Sequence, residues 1–180
     1  IASLAAADGY ALVEAEVEGA AVLEAAHLDG ASLEGTSLRS ASLVDAHLTG
    51  AACAGADLRD AQLEGAHAEE ANLDGAALRS AHLEEAQLAG ASLEGADLRD
   101  AALRGADLTR ARLQGADLRG ADLREASLRD ADLRGACLRD ARIAGADFAG
   151  ALFEDTDLRG VDVDDVDLTS AQREGATFPE

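Results

Sequence analysis

The sequence predicts an all-β fold in which the chain winds into a narrow, four-sided parallel β-helix. Three observations support this prediction: a five-residue period without a gap, two inward positions in every unit, and outward residues that recur every 20 residues. Residues 26–180 divide into 31 consecutive units, with Ala at the first position of 27 units and Leu at the third position of 23. Such a period indicates a solenoid of stacked repeats rather than an ordinary globular core.

The period excludes an α-helix. Five residues rotate an α-helix by about 140°, so the Leu side chains would lie all around it. In an extended segment, positions two apart share a face, so the Ala and the Leu of each unit both point inward. The next Ala comes three residues after the Leu, and the chain must therefore turn a corner there. The fifth position holds Gly in 16 units, and Gly suits a corner with unusual backbone angles.

Outward residues set the number of sides per coil. Arg recurs seven times at a spacing of 20 residues, and three of the four His share that spacing. Four units per coil therefore fit better than three, and the chain corresponds to about nine coils stacked about 4.8 Å apart. The surface ladder comprises Arg39, Arg59, Arg79, Arg99, Arg119, Arg139 and Arg159. The core ladder comprises Leu38, Leu58, Leu78, Leu98, Leu118, Leu138 and Leu158.

We expect residues 1–180 to form one domain. Residues 26–180 repeat without interruption, whereas residues 5–24 fit four further units that are offset by one residue. The offset predicts a one-residue insertion within residues 20–26, formed as a bulge. Near the C-terminus Arg173 stands at a Leu position, which indicates that the repeat ends there. Because an open solenoid end exposes strand edges, we expect end-to-end homodimerisation through Phe178 and Arg173 of the final coil.

Composition excludes several functional classes. The chain has 36 acidic and 15 basic residues, a net charge of −21, and every base is Arg. This charge argues against direct binding to nucleic acid or an anionic membrane and favours a basic protein partner. We identify no apolar run of about 18 residues for a membrane span and no signal or transit segment. A cytoplasmic location in a bacterium is therefore expected, the bacterial origin being inferred from the Ala-, Leu-, Arg- and Asp-rich composition.

The sequence predicts no enzyme, cofactor or metal site. Gly115 and Gly120 have the spacing of a phosphate-binding loop, but no Lys follows them. A convex rod also offers no cleft for an active site. His27, His47 and His67 form a flat ladder on one side, and their side chains are not expected to converge on a metal ion. His82 lies on another side. Cys53 points inward and Cys137 outward about four coils away, which is too far for a disulfide.

The Arg ladder has two interpretations: it is either an anion-binding face or a face whose positive charge is neutralised by acids. Acidic residues at spacings of −2 and +1 from the Arg favour neutralisation by interleaved pairs. These residues are Asp57, Asp97, Asp117 and Asp157 before the Arg and Asp60, Asp100 and Asp140 after it.

The overall acidity also has two interpretations. A net charge of −21 is comparable to the roughly 25 phosphate charges on duplex DNA about 43 Å long, which favours DNA mimicry. Residues 103–142, however, contain seven acids and nine Arg, so the charge is not evenly distributed along the rod. The alternative is an ordinary solvated surface that keeps the rod in solution.

The run Gly115-Ala-Asp-Leu-Arg-Gly-Ala-Asp-Leu-Arg124 resembles the pentapeptide-repeat family, whose pattern is A-(D/N)-L-x-x. The resemblance covers residues 26–180 fully and residues 5–24 loosely. It implies a right-handed quadrilateral β-helix with four units per coil. The best-understood members of the family are fluoroquinolone-resistance proteins, which resemble B-DNA in width and charge and bind DNA gyrase. Most other members have no known biochemical role.

The chain departs from those resistance proteins in three ways. It prefers Leu where they often use Phe, it lacks their C-terminal capping and dimerising segment, and it has no loop inserted into the main register. We therefore expect a non-enzymatic protein-interaction or structural module with an acidic, rod-like surface. The alternative is a DNA mimic that binds DNA gyrase or another topoisomerase and modulates sensitivity to quinolones or other topoisomerase poisons.

Overall fold

The computed structural model describes residues 21–164, 166, 168, 171 and 174–178. In this part of the chain, single residues four units apart form parallel β-bridges, from Val22 with Ser42 to Asp157 with Thr177. One coil therefore comprises four five-residue units. The first coil is residues 21–40 and the seventh is residues 141–160. The spacing agrees with the one expected from the Arg and His ladders.

Each side of the coil is shorter than an ordinary strand. Among the described residues there is no helix and no strand of more than one residue, because each unit places only its second residue in a bridge. Backbone hydrogen bonds nevertheless run in both directions along the stack. The Asp117 N–H donates to the Ala96 carbonyl of the preceding coil at 2.9 Å, and the Leu118 N–H donates to the Cys137 carbonyl of the following coil at 2.7 Å. The backbone of an inner coil is thus bonded on both sides.

A β-turn forms the corner at the end of each unit. The Ala121 N–H donates to the Leu118 carbonyl at 3.0 Å, and Gly120 between them has a φ of +69°. A positive φ at the third turn residue is typical of a type II turn, in which Gly is preferred. The fifth position has a positive φ in every unit from residue 25 to residue 160, whether it holds Gly or another residue such as Asp60 or Asp140. The corner therefore belongs to the repeat itself and does not depend on Gly alone.

The first and third positions fill the interior. The seven Leu of the core ladder are each at most 4% exposed. Most first-position Ala residues in the same coils are also fully buried, and their small side chains let the four sides approach closely. Thr156 replaces one such Ala and stays buried because its hydroxyl donates to the Leu133 carbonyl at 2.8 Å.

Irregular third-position residues change the core locally. Cys53 and Ala68 stand where Leu is usual, and an apolar cavity of about 20 Å³ lies beside both. Toward the other end, Phe148 and Phe153 are fully buried and pack as a tilted pair with ring centroids 5.2 Å apart. The core thus contains smaller side chains toward the N-terminal end and larger ones toward the C-terminal end, with a uniform Leu interior between them.

The N-terminal register differs from the one expected. Ala21 and Leu23 are buried, whereas Val22 is 55% exposed, so residues 21–25 already follow the main register. Leu23 occupies the inward position one coil before Leu43. In an offset unit beginning at residue 20, the smaller Val22 would occupy that position and would bury less apolar surface. The assignment of residues 21–24 to an offset unit is therefore corrected, and no extra residue follows Ala21. The remaining offset units, residues 5–20, lie outside the described residues.

The stacking is less regular in the last described coil. Asp162 forms no bridge, although it lies one coil after Arg142. The contact resumes at Thr177, whose N–H donates to the Thr156 carbonyl at 2.8 Å. Phe178 is partly buried and packs against the core, which leaves part of its side chain exposed at the end of the rod. Arg173, the other residue expected at an association surface, lies outside the described residues.

Candidate interaction surface

The rod has four faces, and on each face every fourth unit of the chain is stacked. Face 1 begins with the unit at Ala21, face 2 at Ala26, face 3 at Ala31 and face 4 at Thr36. On every face the second and fourth residues of a unit point outward, and the fifth forms the corner. The surface of the rod is therefore a set of parallel side-chain ladders.

Face 4 carries the Arg ladder, and its Arg residues are paired with acids. The Arg119 Nε donates to Asp117 Oδ1 at 2.8 Å and its Nη2 donates to Oδ2 at 2.6 Å. The same carboxylate accepts the Arg119 backbone N–H at 3.2 Å, which ties the pair to the turn. This bidentate arrangement recurs in Asp57–Arg59, Asp97–Arg99 and Asp157–Arg159.

The pairing changes the acidity of these groups. The hydrogen bonds from Arg119 hold the pKa of the Asp117 carboxyl below its ordinary value. Hydrogen bonds from Arg99 do the same to the pKa of Asp97, and the carboxylate in turn raises the pKa of Arg99. Each pair stays ionised at neutral pH, so the Asp neutralises the Arg beside it.

Three Arg of the ladder lack an Asp two residues before them and pair across coils instead. Arg139 lies 3.1 Å from Asp157, and nearer the N-terminus Arg39 lies 3.3 Å from Asp60 and Arg79 lies 3.6 Å from Asp100. A shallow surface groove of about 310 Å³ lies along this part of face 4. Its lining residues are Arg39, Arg59, Asp60, Arg79 and Ser80. Because each of these Arg has an acidic partner, the geometry favours a neutralised ladder over an anion-binding face.

Faces 1, 2 and 3 of residues 21–100 have a different character, since their outward and corner residues include acids but no Arg. The acids are Glu24, Asp29, Glu34, Asp45, Glu64, Glu69, Glu70, Asp74, Glu84, Glu85 and Glu94. We call this set the acidic surface. In the part of the chain that the structure describes, Glu94 is its one member within ion-pair distance of an Arg, 3.4 Å from Arg112 of the next coil.

Beyond residue 100 the same faces carry Arg as well as acids, and several of these charges are paired with one another. Arg104 lies 2.9 Å from Glu125 on face 1, and Arg129 lies 2.7 Å from Asp147 on face 2. On face 3, the Arg134 guanidinium forms a bidentate pair with its own unit's Asp at 2.8 and 2.6 Å. The two halves of the rod therefore differ in their unneutralised charge, in line with the uneven distribution expected from the sequence.

All four His lie within the acidic surface. The rings of His27 and His47 stack 4.6 Å apart, and those of His47 and His67 stack 4.9 Å apart, as their positions in successive coils require. Asp29 brings a carboxylate oxygen to within 4.8 Å of the ligand atoms of the first two His. Asp29 is not among the ladder residues expected from the sequence, although it follows His27 by two residues in the same unit.

His82 does not join the His ladder and instead lies on face 1 between two acids. Its Nδ1 is 4.0 Å from Glu64 Oε1 and 3.8 Å from Glu84 Oε1. The sequence does contain a sign of this group, because Glu64 and Glu84 are 20 residues apart and therefore occupy the same position in successive coils.

The two cysteines are placed as their positions in the unit predict. Cys53 is buried in the core, and burial raises the pKa of its thiol to about 12. Cys137 is partly exposed on face 4, where it takes the ladder position between Asp117 and Asp157. A disulfide between an inward and an outward position four coils apart is geometrically excluded.

No helix within the described residues is long and apolar enough to cross a membrane. The enclosed cavity beside Cys53 and Ala68 is about 20 Å³, room for about one water molecule, and its lining is apolar. This cavity is too small to hold a substrate or cofactor.

The structure is similar to solved structures of several repeat proteins. A trypsin-treated variant of QnrB1, a plasmid-mediated fluoroquinolone resistance protein, matches with a TM-score of 0.78 and 20% identity over 89% of this chain and 90% of that one. At this identity the likeness shows the fold alone. HetL, involved in heterocyst differentiation regulation in the cyanobacterium Nostoc sp. strain PCC 7120, matches with a TM-score of 0.48 and 29% identity over 96% of this chain and 87% of that one.

Rfr23, a pentapeptide repeat protein from the cyanobacterium Cyanothece 51142, matches with a TM-score of 0.45 and 28% identity over 62% of this chain and 63% of that one. No curated protein sequence matches the chain. The family model for pentapeptide repeats matches in eight copies between residues 20 and 172. This match extends over most of the chain and coincides with the five-residue units of the structure. The chain therefore belongs to the pentapeptide-repeat family.

Proposed function

We propose that this protein is a non-enzymatic interaction module and that its acidic surface binds a basic surface on a partner protein. The observation that carries the proposal is the contrast between two kinds of ladder on one rod. On face 4 every Arg has an acidic partner within 3.6 Å, whereas Glu94 is the one acid of the described acidic surface within reach of an Arg. Acids that are not neutralised by an Arg of the same chain can be neutralised by Arg or Lys of a partner.

The solenoid makes this surface well suited to binding. Backbone hydrogen bonds to both neighbouring coils fix the position of each outward residue, so little order has to be gained when a partner binds. Two pairs of acids occupy the same position in adjacent coils, Glu64 with Glu84 and Asp74 with Glu94, and so stand about 4.8 Å apart, well within the Debye length of about 8 Å at physiological salt. Their fields therefore add, which accelerates the association of a cationic partner.

The test compares two variants with equal loss of charge. One replaces Glu64, Glu69 and Glu84 of the acidic surface with Gln. The control replaces Asp122, Glu125 and Asp147 of the other half, each of which is paired with an Arg, with Asn, Gln and Asn. A fluorescently labelled Arg-rich peptide is titrated into each variant and into the wild-type chain at two salt concentrations.

We expect the acidic-surface variant to bind the peptide more weakly and with a smaller dependence on salt, while the control variant behaves more like the wild type. Equal losses in the two variants would mean that only net charge matters and would contradict a specific surface. The same pair of variants, applied to proteins cross-linked to the chain in cells, then distinguishes a true partner from nonspecific cations.

The second candidate function is DNA mimicry directed at DNA gyrase. The observations that favour it are the net charge of −21 and the fold shared with a fluoroquinolone resistance protein. The paired half of the rod weighs against it, because duplex DNA has no stretch of balanced charge. Supercoiling by purified gyrase, measured with increasing amounts of this chain, tests the idea: inhibition that weakens with salt supports it, and undiminished supercoiling at a large excess rejects it.

The proposal includes features of the whole rod that rest on family resemblance and sequence. We infer a right-handed coil, as in the known structures of the family, and about nine coils when residues 1–20 are included. We also infer end-to-end homodimerisation beside Phe178 and Arg173, and a bacterial cytoplasmic location. Sedimentation analysis of the full chain with and without Phe178→Asp tests the association: a dimer that the substitution disrupts supports it, and a monomeric wild type rejects it.

A further inference from the structure

Three side chains converge on face 1 at the junction of two coils. His82 Nδ1 lies 4.0 Å from Glu64 Oε1 and 3.8 Å from Glu84 Oε1. One donor atom from each residue lies within 4.8 Å of the other two. Glu64 belongs to the coil of residues 61–80, and His82 and Glu84 belong to the next coil. An ion held by all three residues would therefore join adjacent coils.

The two Glu side chains also have unsatisfied oxygens. The Oε2 atoms of Glu64 and Glu84 are both buried and have no hydrogen-bond partner in the described part of the chain. A carboxylate oxygen removed from water without a partner is costly, and two such oxygens on neighbouring carboxylates add mutual repulsion. Although each Glu side chain as a whole is 38% exposed, these two buried oxygens would be satisfied by a cation bound beside them.

Nearby cationic side chains do not supply that charge. Arg104 follows Glu84 by one coil on the same ladder, but its guanidinium turns to Glu125 at 2.9 Å. Within the described residues, His82 is the one basic side chain within 4.0 Å of either Glu. Protonation of His82 would add one positive charge opposite two carboxylates, so a net negative charge would remain.

We propose that Glu64, His82 and Glu84 bind a divalent first-row transition-metal ion, with Zn²⁺ as the probe. Zinc bonds to imidazole nitrogen and carboxylate oxygen are about 2.0–2.2 Å long, which requires donor atoms about 3.3 Å apart in a tetrahedral site. The present separations from His82 Nδ1 exceed this by less than about 1 Å, and each Glu side chain is 38% exposed with room to adjust. The imidazole favours a transition metal over Mg²⁺ or Ca²⁺, which prefer oxygen ligands alone.

The second group with metal-ligand chemistry, on face 2, is less suited to bind an ion. The rings of His27 and His47 stack 4.6 Å apart at an interplanar angle of 24°, so they must leave this stack to point at one ion. Asp29 Oδ1 already accepts the Thr49 backbone N–H at 3.1 Å. This group provides the matched control for the one on face 1.

The test is a calorimetric titration of zinc chloride into the full chain and three variants: His82→Gln, the double variant Glu64→Gln with Glu84→Gln, and the control His27→Gln. We expect the wild type and the control to bind one equivalent at face 1. His82→Gln and the double variant should weaken that binding at least about tenfold, as loss of a ligand or its support does elsewhere. Cobalt(II) absorption, which reports the ligand field, should be lost in the same two variants.

A thermal melt provides a readout that does not depend on the binding isotherm. Because the three ligands come from adjacent coils, zinc should raise the Tm of the wild type and of His27→Gln and leave the Tm of His82→Gln unchanged. A zinc isotherm that is unaltered by His82→Gln, or a wild type that shows neither heat nor Tm shift at millimolar zinc, would overturn the proposal. No partner protein is needed, so the outcome is independent of the proposed interaction function.

Discussion

Replacing Ala68 with Leu should stabilise the protein, because it fills the cavity in an otherwise uniform Leu interior. Ala68 interrupts the third-position ladder between Leu48 and Leu88, and all three residues line the apolar cavity of about 20 Å³. Leu has three more carbon atoms than Ala, and burying them contributes about 2.4 kcal/mol at roughly 0.8 kcal/mol per carbon. Ordering the Leu side chain costs about 0.5–1 kcal/mol.

The cavity of about 20 Å³ has room for about one water-sized group, so the surrounding coils must move outward to admit the rest of the Leu side chain. About 1.5 kcal/mol is therefore the upper limit of the net gain, which for a chain of this size corresponds to a rise in Tm of at most about 6 °C. Urea unfolding followed by far-UV circular dichroism gives the same quantity as a shift in the midpoint. The matched control is Ala76→Leu, since Ala76 is fully buried in the same coil and does not line the cavity. Overpacking there should destabilise the chain by about 1–3 kcal/mol.

A lower Tm for Ala68→Leu would refute this reasoning, because it would show that the coils around residue 68 have closed on the smaller side chain. Cys53→Leu provides a second check on the shared cavity. The two substitutions compete for one volume, so the stability gained by the double variant should be less than the sum of the single gains.

Three further predictions concern the corners, the ladders and the thiols. Gly115→Ala should cost about 1–2 kcal/mol in urea unfolding because its corner has a φ of +65°. Gly120→Ala should cost a similar amount, because its φ is +69° and the exposed Asp100 carboxylate beside the added Cβ can turn away; unchanged stability in both variants would contradict the left-handed corner. Hydrogen bonds from Arg119 lower the pKa of Asp117, so the ionised carboxylate stabilises the folded chain. The difference in stability between the wild type and Asp117→Asn should therefore be present at pH 6 and vanish as pH falls below about 4 through the folded-state pKa. A difference that does not depend on pH would refute the pairing. A thiol reagent at neutral pH should label Cys137 in the native chain and label Cys53 only after unfolding, because burial raises the pKa of Cys53 to about 12. Labelling of both thiols at the same rate would contradict the inward placement of Cys53.

The coil could be predicted because each of its causes lies within a short stretch of sequence. Ala and Leu two positions apart specify the inward face, Gly or a short polar residue marks the corner, and the spacing of 20 between Arg119 and Arg139 sets the number of sides. The N-terminal boundary was misplaced because Ala20, Ala21, Val22 and Leu23 are all apolar. Two registers then satisfy the local pattern, and only packing beneath Leu43 decides between them.

The candidate sites were harder to predict, since they depend on side-chain directions as well as on ladder position. The sequence places Glu64 and Glu84 on one ladder, but nothing in it shows that Arg104 turns toward Glu125 and leaves both acids without an Arg. Likewise, the spacing alone places Arg39, Arg59 and Arg79 on one ladder and does not distinguish them. Ser37 and Ala77, however, stand where Asp57 precedes Arg59, so Arg39 and Arg79 have no bidentate partner in their own unit. Such differences arise from which neighbour each long side chain reaches.

The central claim is that side chains four units apart stack on one face, and a disulfide measures this most directly. Asp117 and Cys137 are bridged on adjacent coils of face 4, so their Cα atoms lie about 4.8 Å apart, within the range that a disulfide spans. Asp117→Cys should therefore form an intramolecular disulfide with Cys137 under mild oxidation, whereas Asp122→Cys, which is three units from Cys137 and on face 1, should not. A cross-link in the Asp122 variant and none in the Asp117 variant would indicate a three-sided coil and contradict the arrangement of every ladder on the rod.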